Sequence, residues 1–156
     1  MIREAWSSSV RAHPRGTSGS GSPLSIIVAD ASALLEYLPG TEAAGSIGEV
    51  LRMPDADLHV PALCDVEVAA GIRRALSGDA LSVERAAAAV EDYLDLPLSR
   101  HGHQSLLARM LALRANLTAC DACYVALAER VGGDLLTADE RLARAVRDHT
   151  DIVVSP

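Results

Sequence analysis

The sequence predicts a three-layer α/β/α sandwich built on a mainly parallel, roughly five-stranded sheet. Two observations predict it. Short apolar runs such as LSIIVAD, LHVPAL, DLLTAD and DIVVS alternate with longer segments of helical period, and that alternation is the mark of strands joined through crossover helices. Acidic residues also recur at or just past the ends of these runs, the edge at which open α/β sheets bind ligands.

Residues 1–23 carry GTSGSGS and no apolar period, so they read as a flexible leader ahead of a domain spanning 24–156. LSIIVAD is the first strand, and ASALLEYL is a short helix stopped by Pro39 and Gly40. Residues 42–52 form a second helical stretch, and LHVPAL follows as the second strand. The next helix carries Glu67 and ends near Ser77 and Gly78. Val83, Ala87, Val90 and Leu94 share one face of the helix after it. LDLPLS is a weak third strand. Leu106, Met110 and Leu113 mark a helix, and Cys120, Tyr124, Leu127 and Val131 an apolar stripe on another. DLLTAD is a strand leading to the helix of Leu142 and Val146, and DIVVS is the last strand. With no Phe and only one Trp, the core is made of Leu, Val, Ile and Ala.

A chain of 156 residues suits one domain, burying roughly two-thirds of its unfolded surface. Cys64, Cys120 and Cys123 are odd in number and unlike a secreted disulfide framework. A reduced, cytoplasmic protein with no membrane role is the expectation. The net charge of −7 argues against a polynucleotide partner unless much of the negative charge gathers around an ion. All 14 basic residues are arginine, which excludes lysine-dependent chemistry and a Walker A loop.

Asp30, Glu67, Asp121 and Asp139 sit where apolar runs meet helical patterns. Hard oxygen donors of this kind suit Mg²⁺ or Mn²⁺, and such an ion activates water and polarises a phosphoryl oxygen with no Ser or His nucleophile. Each acid also has a simpler reading. Thr118-x-x-Asp121 resembles a capping box, Glu67 could favour a helix N-terminus, and Asp139 could cap the helix of Leu142. Asp30, directly after SIIVA, is the hardest to explain by packing or solubility.

The ordered set resembles the PIN-domain ribonucleases, in particular VapC-type toxins of bacterial toxin–antitoxin pairs. The resemblance spans roughly residues 24–155 and rests on D-A-S-A-L-L at Asp30, Glu67 in an apolar helix, T-A-x-D-A at Asp121 and L-L-T-A-D-E-R-L at Asp139. It implies that Asp30, Asp121 and Asp139 lie nearest an Mg²⁺ or Mn²⁺ ion, with Glu67 binding directly or through water. Thr137 would orient the cluster, with Ser32 as a secondary candidate that could equally be a helix N-cap. The implied activity is endonucleolytic hydrolysis of RNA by a metal-activated water. The implied partners are a VapB-type antitoxin seated near the acidic pocket and a second copy in a homodimer. The competing readings are a non-catalytic PIN-like module that binds RNA or protein, and a metal-dependent DNase.

Arg73, Arg74, Arg100, Arg109 and Arg114 are the candidates for reaching RNA phosphates, each with a solvated helix face as its plainer reading. Leu34, Leu35, Leu38, Ile47 and Leu51 could line a partner groove, although packing on their own sheet is the default. Cys120-x-x-Cys123 reads as core rather than as a redox or zinc pair, with Cys120 on the apolar stripe. His101 and His103 read as solvated loop residues rather than metal ligands.

Overall fold

β1 (Ser25–Ala29) reads SIIVA and is the central strand, with Val28 and Ala29 wholly buried. The computed structural model describes residues 25–40 and 45–155; the expected leader lies outside them. β1 pairs in parallel with β2 (Ala56–Pro61) on one side and β4 (Asp134–Leu136) on the other. β3 (Leu98–His101) adds to β2, and β5 (Val154–Ser155) adds to β4, giving the order β3-β2-β1-β4-β5. Parallel strands covered on both faces must be apolar on both. Val60, Leu135 and Leu136 accordingly have no exposed surface.

Among the described residues seven helices flank this sheet and complete the three-layer architecture: α1 (Ala31–Tyr37), α2 (Gly45–Leu51), α3 (Leu63–Ser77), α4 (Val83–Asp95), α5 (Leu107–Ala112), α6 (Ala119–Val131) and α7 (Glu140–His149). α6 packs on β1, β2 and β4 and is covered in turn by α5. Residues 122–128 of α6 are all buried, as a helix enclosed on every side must be. Cys120 does not join them. It sits one turn earlier, where the helix emerges from the core, and is exposed, while Cys123 takes the buried position. All three cysteines are free.

α4 turns the face of Val83, Ala87, Val90 and Leu94 away from the core. Its buried residues are Ala86, Ala89 and Tyr93, whereas Val83, Val90 and Leu94 are 66, 42 and 65% exposed. Two polar anchors set the rotation: Tyr93 donates to Asp65 Oδ1 on α3 at 2.7 Å, and Arg85 donates to the Leu38 carbonyl and, at 2.9 Å, to Asp92. The small alanines face inward, and the branched residues are left in water. Leu34, Leu38, Ile47 and Leu51 pack into the core at 0–6% exposure, and Leu35 lies against Gly71.

β3 begins after Pro97, which has no N–H for a sheet ladder, and runs on to His101 rather than ending in LDLPLS. The two histidines expected to be solvated are half-buried and engaged. His59 Nδ1 and His101 Nε2 are 2.8 Å apart across β2 and β3, and His103 Nε2 accepts from the Leu63 N–H at 2.9 Å. Burial, followed by the charges of His59 and Arg130, lowers the pKa of His101. No helix among the described residues is long and apolar enough to cross a membrane.

Two glycines carry the chain from α6 into β4. Gly132 has φ +68°, the left-handed C-cap that an L side chain rarely adopts. Gly133 lies so close to β1 that a Cβ would meet the Ile26 carbonyl oxygen at 2.7 Å, an atom that cannot swing away. Gly133→Ala is expected to cost about 1–3 kcal/mol through overpacking, read by chemical denaturation against Gly102→Ala, where nothing lies within 4 Å. Equal stabilities would show that β1 yields at this point.

Candidate active site

The strand order reverses direction at β1. The chain proceeds from β1 outward through β2 to β3, then returns to the other side of β1 for β4 and β5. The crevice past the carboxyl ends of β1 and β4 is thus the topological switch point, where sheets of this kind bind ligands. Asp30 directly follows β1, and Thr137, Ala138 and Asp139 directly follow β4. The Asp30 N–H continues the ladder to the Leu136 carbonyl at 2.8 Å, locking the two strand ends together.

Asp30 and Thr137 are the buried polar side chains among the described residues, 8 and 2% exposed. Asp30 Oδ2 accepts from Ser32 Oγ at 2.5 Å and from Thr137 Oγ1 at 2.8 Å. The two hydroxyl oxygens are 3.1 Å apart, and each has a single proton. With both protons on the carboxylate, that last approach is a packing contact. Ser32 Oγ also accepts from the Ala138 N–H at 3.0 Å, and Thr137 Oγ1 from the Asp139 N–H at 3.0 Å, so the β4–α7 turn is tied to Asp30. Ser32 lies inside α1 and is not its N-cap; Asp30 holds that position. Burial raises the pKa of Asp30, and the two hydroxyl hydrogen bonds oppose the rise.

Glu67 projects from α3, where Tyr124 OH donates to its Oε2 at 2.6 Å. Its pKa is raised mainly by burial, against the Tyr124 hydrogen bond, with the charges of Asp30 and Asp121 adding to the rise. Glu67 therefore sits in the field of two further carboxylates. Tyr124 is fully buried, and sequence reasoning assigned it to packing alone. The available signal was its spacing: Tyr124 follows Asp121 by three residues and so shares its helix face. Burial of the Tyr124 hydroxyl, then the surrounding acidic groups, pushes its pKa far upward and keeps it a donor.

Asp121 stands in the first turn of α6, and its N–H bonds to Thr118 Oγ1 at 3.2 Å. Thr118 thus caps the helix. The Asp121 carboxylate instead meets Arg141 Nη2 at 2.9 Å. Asp139 caps α7, its Oδ1 accepting from the N–H groups of Arg141 and Leu142 at 2.8 and 3.1 Å. Its Oδ2 lies 3.5 Å from the same Arg141 nitrogen. One guanidinium therefore bridges two of the four acids. The capping and cluster readings of Asp139 are compatible, because each uses a different oxygen.

Thr137 links Asp30 to the Asp139 backbone and Arg141 joins Asp139 to Asp121, while Glu67 meets the others through charge alone; among the described residues no three Asp, Glu, His or Cys side chains close around a point. The donor set still fits a hard divalent cation. It is all carboxylate oxygen, and the mutual repulsion felt at Glu67 is what such a cation would relieve.

The five expected RNA-contacting arginines are dispersed. Arg100 pairs with Asp65 at 2.9 Å and lies over the Tyr93 ring. Arg109 forks onto Glu129 at 2.6 and 2.7 Å, and Glu129 is about 12 Å along α6 from Asp121. Arg114 donates to the Leu111 carbonyl at 3.0 Å. Arg73 and Arg74 are exposed on α3. A cleft of about 690 Å³ opens beside Thr137 and Ala138, with Arg144, Arg147 and Glu140 of α7 and Glu36 of α1 in its walls; it adjoins the four acids through Thr137 and is not lined by them. Sequence reasoning missed Arg141, Arg144 and Arg147, although their three-residue spacing places them along one side of α7.

The profile of the PIN domain matches residues 27–148. This chain is a member of the PIN-domain family. Among its PIN-domain relatives it is 42% identical over 124 residues to "Ribonuclease VapC3" of Mycobacterium tuberculosis, an alignment covering 80% of this chain and 90% of that protein. It is 38% identical over 131 residues to "VapC ribonuclease Mb0985" of Mycobacterium bovis, covering 84% and 99%. The PIN fold recurs in PAE2754 from Pyrobaculum aerophilum, with TM-score 0.64 at 18% identity and 86% of each chain covered. It recurs again in VapBC2 from Rickettsia felis bound to a DNA fragment from their promoter, with TM-score 0.63 at 10% identity, covering 83% of this chain and 97% of that one.

A carboxylate whose folded pKa is raised destabilises the fold wherever it is ionised. The protein binds more protons folded than unfolded, so stability falls as pH rises from the unfolded value through the folded one. In EDTA, Asp30→Asn is therefore expected to raise the thermal midpoint at neutral pH, with the gain fading at pH 4 and below. A loss of stability that does not vary with pH would contradict this.

Proposed function

We propose that this PIN-domain protein is a metal-dependent endoribonuclease and the toxin of a toxin–antitoxin pair. The observation that carries the proposal is the placement of Asp30, bound by Ser32 and Thr137, at the β1/β4 switch point within a network of three further carboxylates. Identity of 36–42% to proteins named VapC ribonucleases over about four-fifths of the chain supports it.

In this reading Asp30, Glu67, Asp121 and Asp139 hold Mg²⁺ or Mn²⁺. The bound ion supplies Lewis acidity and an activated water. The protein's own part is positioning. Ser32 and Thr137 fix Asp30, Tyr124 fixes Glu67, and the start of α7 fixes Asp139 through one oxygen while leaving the other directed at the cluster. These second contacts hold the carboxylates before substrate arrives, which lowers the cost of assembling the site.

The RNA strand passes through the cleft along α7, where Arg144 and Arg147 neutralise phosphates. Arg109, tied to Glu129 at the far part of α6, takes no part in this path. A VapB-type antitoxin and a second copy of the chain are the protein partners. The exposed Val83, Val90 and Leu94 of α4 offer apolar area for such contacts.

Cleavage of labelled RNA by the purified protein is expected to require Mg²⁺ or Mn²⁺ and to stop in EDTA. Asp30→Asn is expected to lower it by more than about 100-fold, the upper end of the effect of losing an outer-shell contact. Replacing Arg144 and Arg147 with Ala is expected to weaken RNA binding and reduce its salt slope by about 2, whereas Arg109→Ala leaves that slope unchanged. RNA binding without cutting in any metal would favour a non-catalytic module, and preferential cutting of DNA run in parallel would favour the deoxyribonuclease reading.

A further inference from the structure

Arg141 stands where a cation is called for. Its Nη2 lies 2.9 Å from Asp121 Oδ2 and 3.5 Å from Asp139 Oδ2. The two acids come from α6 and α7, and the guanidinium joins them across the mouth of the site. The arginine side chain is 60% exposed, whereas Asp121 is only 14% exposed. The carboxylate is thus held in place and the cation is not. A pair whose cation is this exposed is screened by solvent and reorganises at little cost.

Two further features give the arrangement direction. Arg141 is on the first turn of α7, one turn before Arg144 and two before Arg147 in the cleft wall. An arginine leaving the carboxylates therefore joins a line of guanidinium groups on the same helix. A planar guanidinium also binds phosphate with two parallel hydrogen bonds, as it binds carboxylate, so one group can serve both anions in turn.

We propose that Arg141 is an exchange residue: it neutralises Asp121 and Asp139 in the ion-free protein, then moves to an RNA phosphate when a divalent ion takes those carboxylates. This deepens the nuclease reading and rests on it. The exchange keeps two acids from repelling one another before the ion arrives. It also makes a phosphate-binding group available only when the ion is in place, so ion loading precedes productive RNA binding.

The test is Mn²⁺ binding to the full-length protein, read by electron paramagnetic resonance of the free ion and by calorimetry, for wild type, Arg141→Gln, Arg141→Lys and the control Arg147→Gln. With a competing cation removed, Arg141→Gln is expected to bind Mn²⁺ about two- to fivefold more tightly, the size of an exposed ion pair, with Arg141→Lys between it and wild type and Arg147→Gln near wild type. At saturating Mn²⁺, the KM for RNA is expected to rise in Arg141→Gln. Unchanged or weaker Mn²⁺ binding in Arg141→Gln, an equal gain in Arg147→Gln, or an unchanged KM would each overturn the exchange. Those outcomes leave the nuclease reading intact as long as wild type binds Mn²⁺ and cuts RNA. If wild type does neither, both fall together.

Discussion

The candidate site is organised around one buried carboxylate. Asp30 is placed at the end of the central strand, and nothing about packing calls for a charge there. Its burial raises its pKa, so ionising it costs the fold stability. Two hydroxyls from separate parts of the chain, Ser32 and Thr137, reduce that penalty. The same two hydroxyls then accept the N–H groups of Ala138 and Asp139. Holding Asp30 therefore fixes the β4–α7 turn, which in turn fixes Asp139 and Arg141.

The charge balance of the chain follows from this arrangement. A net charge of −7 is unusual for a protein that handles RNA. In this fold the acids at the switch point are close enough to disturb one another, as Glu67 shows, and Arg141 offsets two of them. The arginines of α7 lie on the adjoining cleft. Arg144 and Arg147 share that cleft with Glu36 and Glu140, so its charge is mixed, and the concentration of negative charge lies at the four acids beside it.

The sheet was legible because parallel strands must be apolar on both faces, which makes SIIVA and DLL distinctive runs. Asp30 and Asp139 stood out because each closely follows a strand end, whereas Glu67 lies a turn inside α3 and Asp121 in the first turn of α6. What stayed hidden is rotation and pairing. The stripe Val83, Ala87, Val90 and Leu94 has helical spacing, but spacing does not say which face meets the protein, and the Tyr93–Asp65 and Arg85–Leu38 contacts turn it outward. Cys120 fitted the stripe of α6 but falls just before its enclosed part. Arg100 and Arg109 looked available for phosphate until their partners Asp65 and Glu129, distant in sequence, were in view. Tyr124 looked like core and is core, yet its hydroxyl is the contact that holds Glu67.

In the proposed reading Asp30, Glu67, Asp121 and Asp139 act as one ion site. Mg²⁺ can be titrated into isotopically labelled protein at fixed pH, with the side-chain carboxyl carbons followed by nuclear magnetic resonance. The four resonances are expected to move together with one midpoint, while those of Asp65 and Glu129, paired to arginines elsewhere, stay still. Four resonances that respond with unrelated midpoints, or no better than Asp65 and Glu129, would contradict it.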